Sequence, residues 1–540
     1  MFGRHLQYLP HHTHVTVLNA VRQALAELHT LLRPYAQQFG AQSVPVVQCE
    51  LYGTHIVVHD PCRVLAEIVC TMPPGAVSYP QGISDVERAQ AQIHGLVCSP
   101  LDKDAGRAHL RCQQAWCADY ERVCSCKILH YVHLSCSPQH FTASLLQQYS
   151  MLPSRPSLPV AKHSGISVAY QLYKAKDVER QRPIVPCFQH PLRRSYQAAG
   201  KALLLLIKRC KRLPSFTILS TQDLHTRLSG LFGDLLVAGY DVKNMYTELL
   251  HSTTLAALTA FFDYVATALG VTCVFVRKHG RHCRLSLHGR CGSKRYFKLS
   301  LRQLFDLAKL EMTTMVFSCA GQLLKQTVGL AMGGYCSPGL AIIVCMMHER
   351  AWCLRKQVRP TQLVAVRYVD DITVVLVNTP AAKALLADLV QNALPPECEL
   401  EIEQPLGVSV RMLECAVSVL DGTVLITHHN KNAASLQESG VQQFRKFVDY
   451  SSAHPASVRQ GVILGAFNRV LSNTSSSGAT SSCILQLLTY LAELLLLQYP
   501  VPFLRRVVNR FFPRGLSEAR QATWQVCAPV LLHMLRSVTV

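Results

Sequence analysis

Apolar and polar positions recur along the chain with two different periods, and the switches between them mark the elements. From Val15 to Leu32, apolar residues return at spacings of 3 and 4 (Val15, Leu18, Val21, Leu25, Leu28, Leu31, Leu32), which predicts an amphipathic helix. VVQCELYGTHIVVHD at 46–60 reads as strand, while the Pro/Gly-rich stretch 72–82 and SMLPSRPSLP at 150–159 read as loop and linker. Further on, LLVAGYD at 235–241 is an apolar strand, and LVAVRYVDDITVVLV at 363–377 is a strand–turn–strand hairpin. Ser337-Pro338 opens an apolar helix that runs through Leu340 to Met347, after a glycine turn containing Gly329, Gly333 and Gly334. SNTSSSGATSS at 472–482 is a flexible connection before a last helical segment. The most apolar stretch, 483–504, is interrupted by Gln486, Glu493, Gln498 and Pro500, so no membrane span is expected there and no membrane partner is assigned.

Charge narrows the partners. The 540 residues carry 54 Lys+Arg against 33 Asp+Glu, a net +21, yet only 16% are charged and 49% are hydrophobic. Such a chain has ample apolar content for a packed core and is not a disordered polyelectrolyte. Residues 1–100 hold 5 Lys+Arg and 6 Asp+Glu, so the whole excess lies beyond residue 100. A basic globular body of this kind implies a polyanionic partner, nucleic acid foremost. MFGRHLQYLPHHTH lacks the pattern of a secretory signal, so the 22 cysteines are expected to be reduced thiols of an intracellular protein. The cluster Cys112, Cys117, Cys124, Cys126, His130, His133 and Cys136, and the later set His279, His282, Cys283, His288 and Cys291, lack the paired spacing of zinc sites and are expected to be ordinary thiols and histidines.

The chemistry concentrates at a few carboxylates. The apolar arms of 363–377 would anchor in a core and hold Asp370 and Asp371 at the tip, where two like charges call for compensation by divalent cations. A surface hairpin with an Asp-Asp turn has the same local pattern. Asp241 ends the strand 235–241, with Tyr246 five residues on. Asp241 and Asp370 together could hold two Mg²⁺ ions, with Mn²⁺ as substitute, for in-line phosphoryl transfer to a primer 3′-hydroxyl. Tyr246 would then lie under the nucleotide sugar and exclude a 2′-hydroxyl; a core tyrosine after a strand is the alternative. Gly333 and Gly334 allow close backbone approach to a ligand, and the helix start at Ser337 favours phosphate.

Taken in order, these segments resemble motifs A, B and C of reverse transcriptases, with Tyr368-Val369-Asp370-Asp371 matching their Tyr-x-Asp-Asp core. RPIVP at 182–186, PLRRSYQAAGKAL at 191–203, QTVGLAMGGYCSP at 326–338, HPASVRQGVILGAFNRVL at 454–471 and LLLLQYPVPFLRRVV at 494–508 further resemble the Penelope-like retroelement enzymes, relatives of telomerase. The resemblance spans roughly residues 165–510. It implies an α+β right-hand polymerase with an N-terminal extension to residue 160 that binds RNA, fingers at 161–235, a palm at 236–430 and a helical thumb at 431–540. The implied activity is RNA-directed DNA polymerisation from dNTPs on an RNA template, with a DNA primer or RNA–DNA hybrid as partner, in the service of a retroelement acting in the nucleus.

Under the same resemblance, Asp241, Asp370 and Asp371 are the catalytic and metal-binding carboxylates, and Tyr246, Lys174, Lys176, Arg182, Gly333 and Gly334 bind the nucleotide. The basic run at 277–298 has eight Lys/Arg and no acidic residue; it is expected to be a loop tracking nucleic acid through Arg277, Lys278, Arg281, Arg284, Lys294 and Arg295. Arg445, Lys446 and Arg459 of the thumb would grip the hybrid backbone. The chain departs from the family at Gly333-Gly334-Tyr335, at Leu413-Glu414 of the expected primer-grip hairpin, and at Tyr173-Lys174-Ala175-Lys176. No segment resembles the GIY-YIG endonuclease of many such elements, so the enzyme is expected to use existing 3′ ends. The competing readings are a domesticated nucleic-acid-binding protein and a template-independent terminal transferase.

Overall fold

The computed structural model describes residues 47–51, 54–58, 96–125 and 130–537 apart from short internal stretches, the longest being 279–282, 287–294, 451–453, 476–479 and 514–516. The helix expected at 15–32 lies outside the described residues. The strand expected at 46–60 is a hairpin of Val47–Leu51 and Thr54–Val58.

A four-stranded antiparallel sheet organises the molecule, in the order Leu363–Tyr368, Asp371–Val377, Leu235–Lys243, Glu399–Gly407. Its middle strands are apolar without alternation because both faces are covered. Ile372, Val374 and Leu376 point into the main core with Leu258, Phe261, Ile343 and Val344, whereas Val375, Val237 and Val366 point into a second core with Val410, Val417 and Ile426. Burying each such side chain contributes about 1.5–3 kcal/mol, which fixes the register of the central strands. The first face is covered by helices His251–Leu269 and Ser337–Lys356, which pack on each other and are joined by Arg193–Arg209 and Leu301–Thr313. His251–Leu269 has the length and apolarity of a membrane span, and its Leu258, Phe261 and Val265 are buried in this core. The second face is covered by the three-stranded sheet Ser409–Met412, Cys415–Leu420 and Thr423–His428.

The described strands from Leu96 to His133 do not stand apart. Strands Leu96–Asp102 and Asp104–Cys112 extend the sheet of Tyr170–Lys174 and Asp177–Ile184, with Leu101 beside Tyr173, and Tyr131–His133 pairs with Gln322–Gln326. Residues expected to belong to a separate extension thus complete two sheets of the body, and both sheets cross the boundary expected at residue 160. At the other end, Ala456–Ser472, Thr480–Leu496, Val501–Arg510 and Glu518–Ser537 form a helical bundle around Phe467, Tyr490, Leu491, Leu504 and Trp524. Cys210, Cys336, Cys345, Cys415 and Cys527 are buried free thiols.

The basic run at 277–298 is not a simple loop. Cys283–Ser286 and Tyr296–Ser300 flank Cys273–Arg277 in a three-stranded antiparallel sheet. The run is anchored by the apolar strand before it, where Cys273, Val274, Phe275 and Val276 are all buried, and by Leu299 just after it.

Candidate active site

Three carboxylates converge where the central strands end. Asp371 opens its strand directly opposite Asp241, and Asp370 sits in the turn before it. The Val242 N–H donates to the Asp370 carbonyl at 3.0 Å, which ties that turn to the neighbouring strand. Asp241, Asp370 and Asp371 each offer an oxygen within 4.8 Å of the others, and all three are half-buried. Among the described residues this is the one such group of three or more His, Cys, Asp or Glu, so the described members of the Cys112–Cys136 set do not gather into one. In the later set, His279, His282, His288 and Cys291 lie outside the described residues. Burial, then the charges of Asp370, Glu403 and Asp371, push the Asp241 carboxyl up to about 6; Lys174 partly offsets this. An all-oxygen, mutually repelling trio of this kind fits hard divalent cations, which would relieve the repulsion.

Tyr246 lies on the short helix Met245–Glu248, which follows Asn244 in the left-handed conformation. Its phenol is pushed up to about 12 by burial and then by the Asp370 carboxylate. The glycine turn is stitched to the same segment: the Leu330 N–H donates to the Tyr246 carbonyl at 2.6 Å and the Gly329 N–H to the Leu249 carbonyl at 3.0 Å. The RPIVP segment closes the third side, with the Val185 N–H donating to the Met332 carbonyl at 2.8 Å. Gly333 is required here. Its φ is +120°, and a Cβ would overlap the Val185 carbonyl. Gly334 is tight as well, with the Ser337 hydroxyl and the Glu311 carboxylate against the position of a Cβ.

The start of the following helix differs from expectation. The Tyr335 and Cys336 N–H groups donate at 2.5 and 3.0 Å to the carboxylate of Glu311, which burial pushes up to about 7. These donors thus face a protein carboxylate at the helix N-terminus and are not available to phosphate.

The basic residues divide. Lys174 acts on Asp241, as described above. Arg182 donates to Asp102 at 2.7 Å, a contact that ties the fingers-like strand to its N-terminal neighbour. Lys176, Arg281, Lys294 and Arg445 lie outside the described residues, as does the side chain of Arg284. Arg277 ends its strand, Lys278 lies over the Phe297 ring at 5.2 Å, and Arg295 is exposed. Two thumb cations expected to grip nucleic acid are engaged within the protein. Lys446 is ion-paired to Glu414 at 2.7 Å and lies over the Tyr490 ring at 4.7 Å, while Arg459 donates to the Tyr450 carbonyl at 2.6 Å and stacks on that ring at 4.8 Å. Glu414, in the hairpin turn where Leu413 has φ +58°, also faces Arg469 at 3.5 Å. Lys446 and Arg469 thereby hold the bundle to the hairpin sheet. Sequence reasoning passed over Arg506 and Arg510, which line an open cleft of about 300 Å³ with Gln460, Phe503 and Val507. Their spacing of four on one helix was the available signal.

No family model and no curated protein matches the chain. Among solved structures, telomerase from Candida albicans in complex with a TWJ fragment of telomeric RNA is similar with a TM-score of 0.51 at 12% identity, over 84% of this chain and 74% of that one. Apo telomerase from Candida tropicalis is matched with a TM-score of 0.45 at 9% identity, over 87% of this chain and 82% of that one. The RNA-dependent RNA polymerase of a human picobirnavirus is matched with a TM-score of 0.39 at 10% identity, over 97% and 92%. With the Candida albicans likeness added to the two-faced sheet and the helical bundle, the fold is that of a right-hand polymerase, with α+β fingers and palm and a helical thumb.

Proposed function

We propose that this protein is an RNA-directed DNA polymerase of the Penelope-like group, extending a primer 3′ end with deoxynucleotides. The observation that carries the reading is the convergence of Asp241, Asp370 and Asp371 within 4.8 Å, with Tyr246 and the glycine turn bonded alongside. Asp241 and Asp370 would hold divalent cations, Mg²⁺ by preference, with Asp371 supporting the site electrostatically. When bound, such ions lower the pKa of an attacking hydroxyl and neutralise charge building on a transferred phosphoryl group. The chain's own residues do the rest. Lys174 brings positive charge to the triphosphate side of the aspartates, the Gly329–Gly334 turn lets backbone approach the base pair, and Tyr246 sets the floor of the sugar pocket. Template-complementary extension of a primer from dNTPs, abolished by Asp241→Asn, tests the assignment.

The sugar gate has its own test. Tyr246→Ala removes the ring while leaving its backbone bond to Leu330, so incorporation of rNTPs relative to dNTPs should rise by roughly one to two orders of magnitude, equivalent to about 1.4–2.8 kcal/mol of discrimination. An unchanged ratio in single-nucleotide incorporation returns Tyr246 to a packing role.

The basic sheet is proposed to track nucleic acid by counterion release. Changing Arg277, Lys278 and Arg295 together to Gln should reduce the slope of log K against log salt by up to about 3, near one unit for each phosphate that a cation neutralises. A slope equal to that of the unmodified protein, measured by anisotropy between low and moderate salt, removes the sheet from the binding surface.

A further inference from the structure

One buried ion pair behind the aspartate turn is not used by the chemistry above. Arg367 and Glu349 form an ion pair with both side chains at 0% exposure. Arg367 belongs to the strand Leu363–Tyr368, and Glu349 to the helix Ser337–Lys356 that begins at the glycine turn. The guanidinium fork is fully directed. Nε donates to Glu349, Nη1 to the Val369 carbonyl at 2.7 Å and Nη2 to the Thr217 hydroxyl at 2.7 Å. The second Glu349 oxygen accepts the Phe216 N–H at 2.9 Å, and the Arg367 backbone pairs with Phe216 and Ile218.

A buried pair of this kind is weak evidence for stability, because apolar residues of similar volume commonly serve as well or better. What an apolar side chain cannot supply is the donor to Val369. That residue has φ +59°, a conformation that is costly for a β-branched side chain and that persists when its surroundings hold it. The Val369 carbonyl belongs to the peptide that enters Asp370, and the Asp370 carbonyl accepts from Val242 on the Asp241 strand. The peptides on both sides of Asp370 are therefore pinned, one by Arg367 and one by the strand that carries Asp241.

We infer that Arg367, held in place by Glu349, is a positioning residue that sets the direction of the Asp370 carboxylate. The inference rests on Asp370 being a cation ligand. Through Glu349, the helix leaving the glycine turn is joined to the aspartate turn, so the two sides of the nucleotide pocket share one rigid support.

The test uses the full chain and Mn²⁺ alone, titrated by electron paramagnetic resonance without nucleotide, alongside steady-state extension and thermal melting. Asp370→Asn is the control for the site itself. Arg367→Lys keeps the charge opposite Glu349 but has no fork to reach Val369 and Thr217 together. Arg367→Met with Glu349→Met removes both charges and with them the cost of burying one alone. Both variants are expected to stay folded, to bind Mn²⁺ roughly 10- to 100-fold more weakly, and to lose kcat by a similar factor with the KM for dNTP held, as follows when a residue that orients a ligand is removed. Folded variants with Mn²⁺ binding and kcat within twofold of the parent overturn the inference. Loss of folding in both also overturns it, since the pair would then serve stability alone. If the parent itself binds no more Mn²⁺ than Asp370→Asn does, the metal reading of Asp370 fails instead, and the two failures are told apart.

Discussion

Asp370→Asn is expected to reduce nucleotidyl transfer on the order of 10³-fold or more, about 4 kcal/mol of transition-state stabilisation, without unfolding the protein. Asn preserves the size and hydrogen-bonding reach of the side chain and removes only its charge. That charge stands within 4.8 Å of Asp241 and Asp371 and contributes, after burial, to the rise of the Asp241 carboxyl to about 6. Removing it relaxes repulsion among the carboxylates of the cation-free protein, so the melting temperature should hold or rise slightly while cation affinity and rate collapse. The turn is retained because its backbone bonds to Val242 and Arg367 do not involve the carboxylate. Single-turnover extension with melting on the same preparation checks both halves. Full activity in a folded Asp370→Asn protein contradicts the site.

Gly333→Ala should cost at least about 2–3 kcal/mol of stability and raise the KM for dNTP sharply. Two independent constraints meet at this position, a φ of +120° that L side chains rarely adopt and the Val185 carbonyl against any Cβ. The turn would have to move away from Val185 and break the bond between its N–H and the Met332 carbonyl, opening the junction between fingers and glycine turn. Gly440→Ala is the matched comparison. Gly440 also has a positive φ, +66°, but nothing lies within 4 Å of its added Cβ, so only the conformational cost of about 1 kcal/mol applies. Chemical denaturation and dNTP titration of the two variants separate the effect of space from the effect of backbone angle. Equal small effects at both positions would show that the Val185 carbonyl yields freely.

The palm was legible because its signals are local. An apolar run covered on both faces, as in 371–377, reads as strand whatever its partners are, and a polar tip between two such runs reads as a turn. The parallel pairing of Leu101 with Tyr173 joins segments far apart in the chain, and no period in either one announces it. That is why the N-terminal strands looked like a separate extension. In 277–298 the cations dominated the pattern, and the pairing of this segment with the buried strand Cys273–Arg277 could not be read from it. The basic thumb residues were opaque for a different reason. A long cationic side chain on a surface helix and one laid over an aromatic ring have the same sequence signature, and only packing shows that Lys446 and Arg459 are occupied by Glu414 and Tyr450. Glu311, Glu349 and Arg367 were missed although each carried a signal, a charged residue inside an otherwise apolar strand or helix face, which is rarely buried without a partner. Their partners lie from 2 to 150 residues away, and the geometry among them could not be read from spacing.

The measurement that tests the central claim most directly is primer extension by the purified full chain with Mg²⁺, comparing one sequence presented as RNA or as DNA template and supplying either dNTPs or rNTPs, with products sequenced. The account predicts DNA products complementary to the RNA template, absent with Asp370→Asn. Products independent of template sequence would instead assign a terminal transferase, and RNA products from rNTPs an RNA polymerase. A folded protein that binds nucleic acid in a salt-sensitive manner but extends no primer, with Mn²⁺ as well as Mg²⁺, would contradict the account and make the chain a nucleic-acid-binding protein on a polymerase fold.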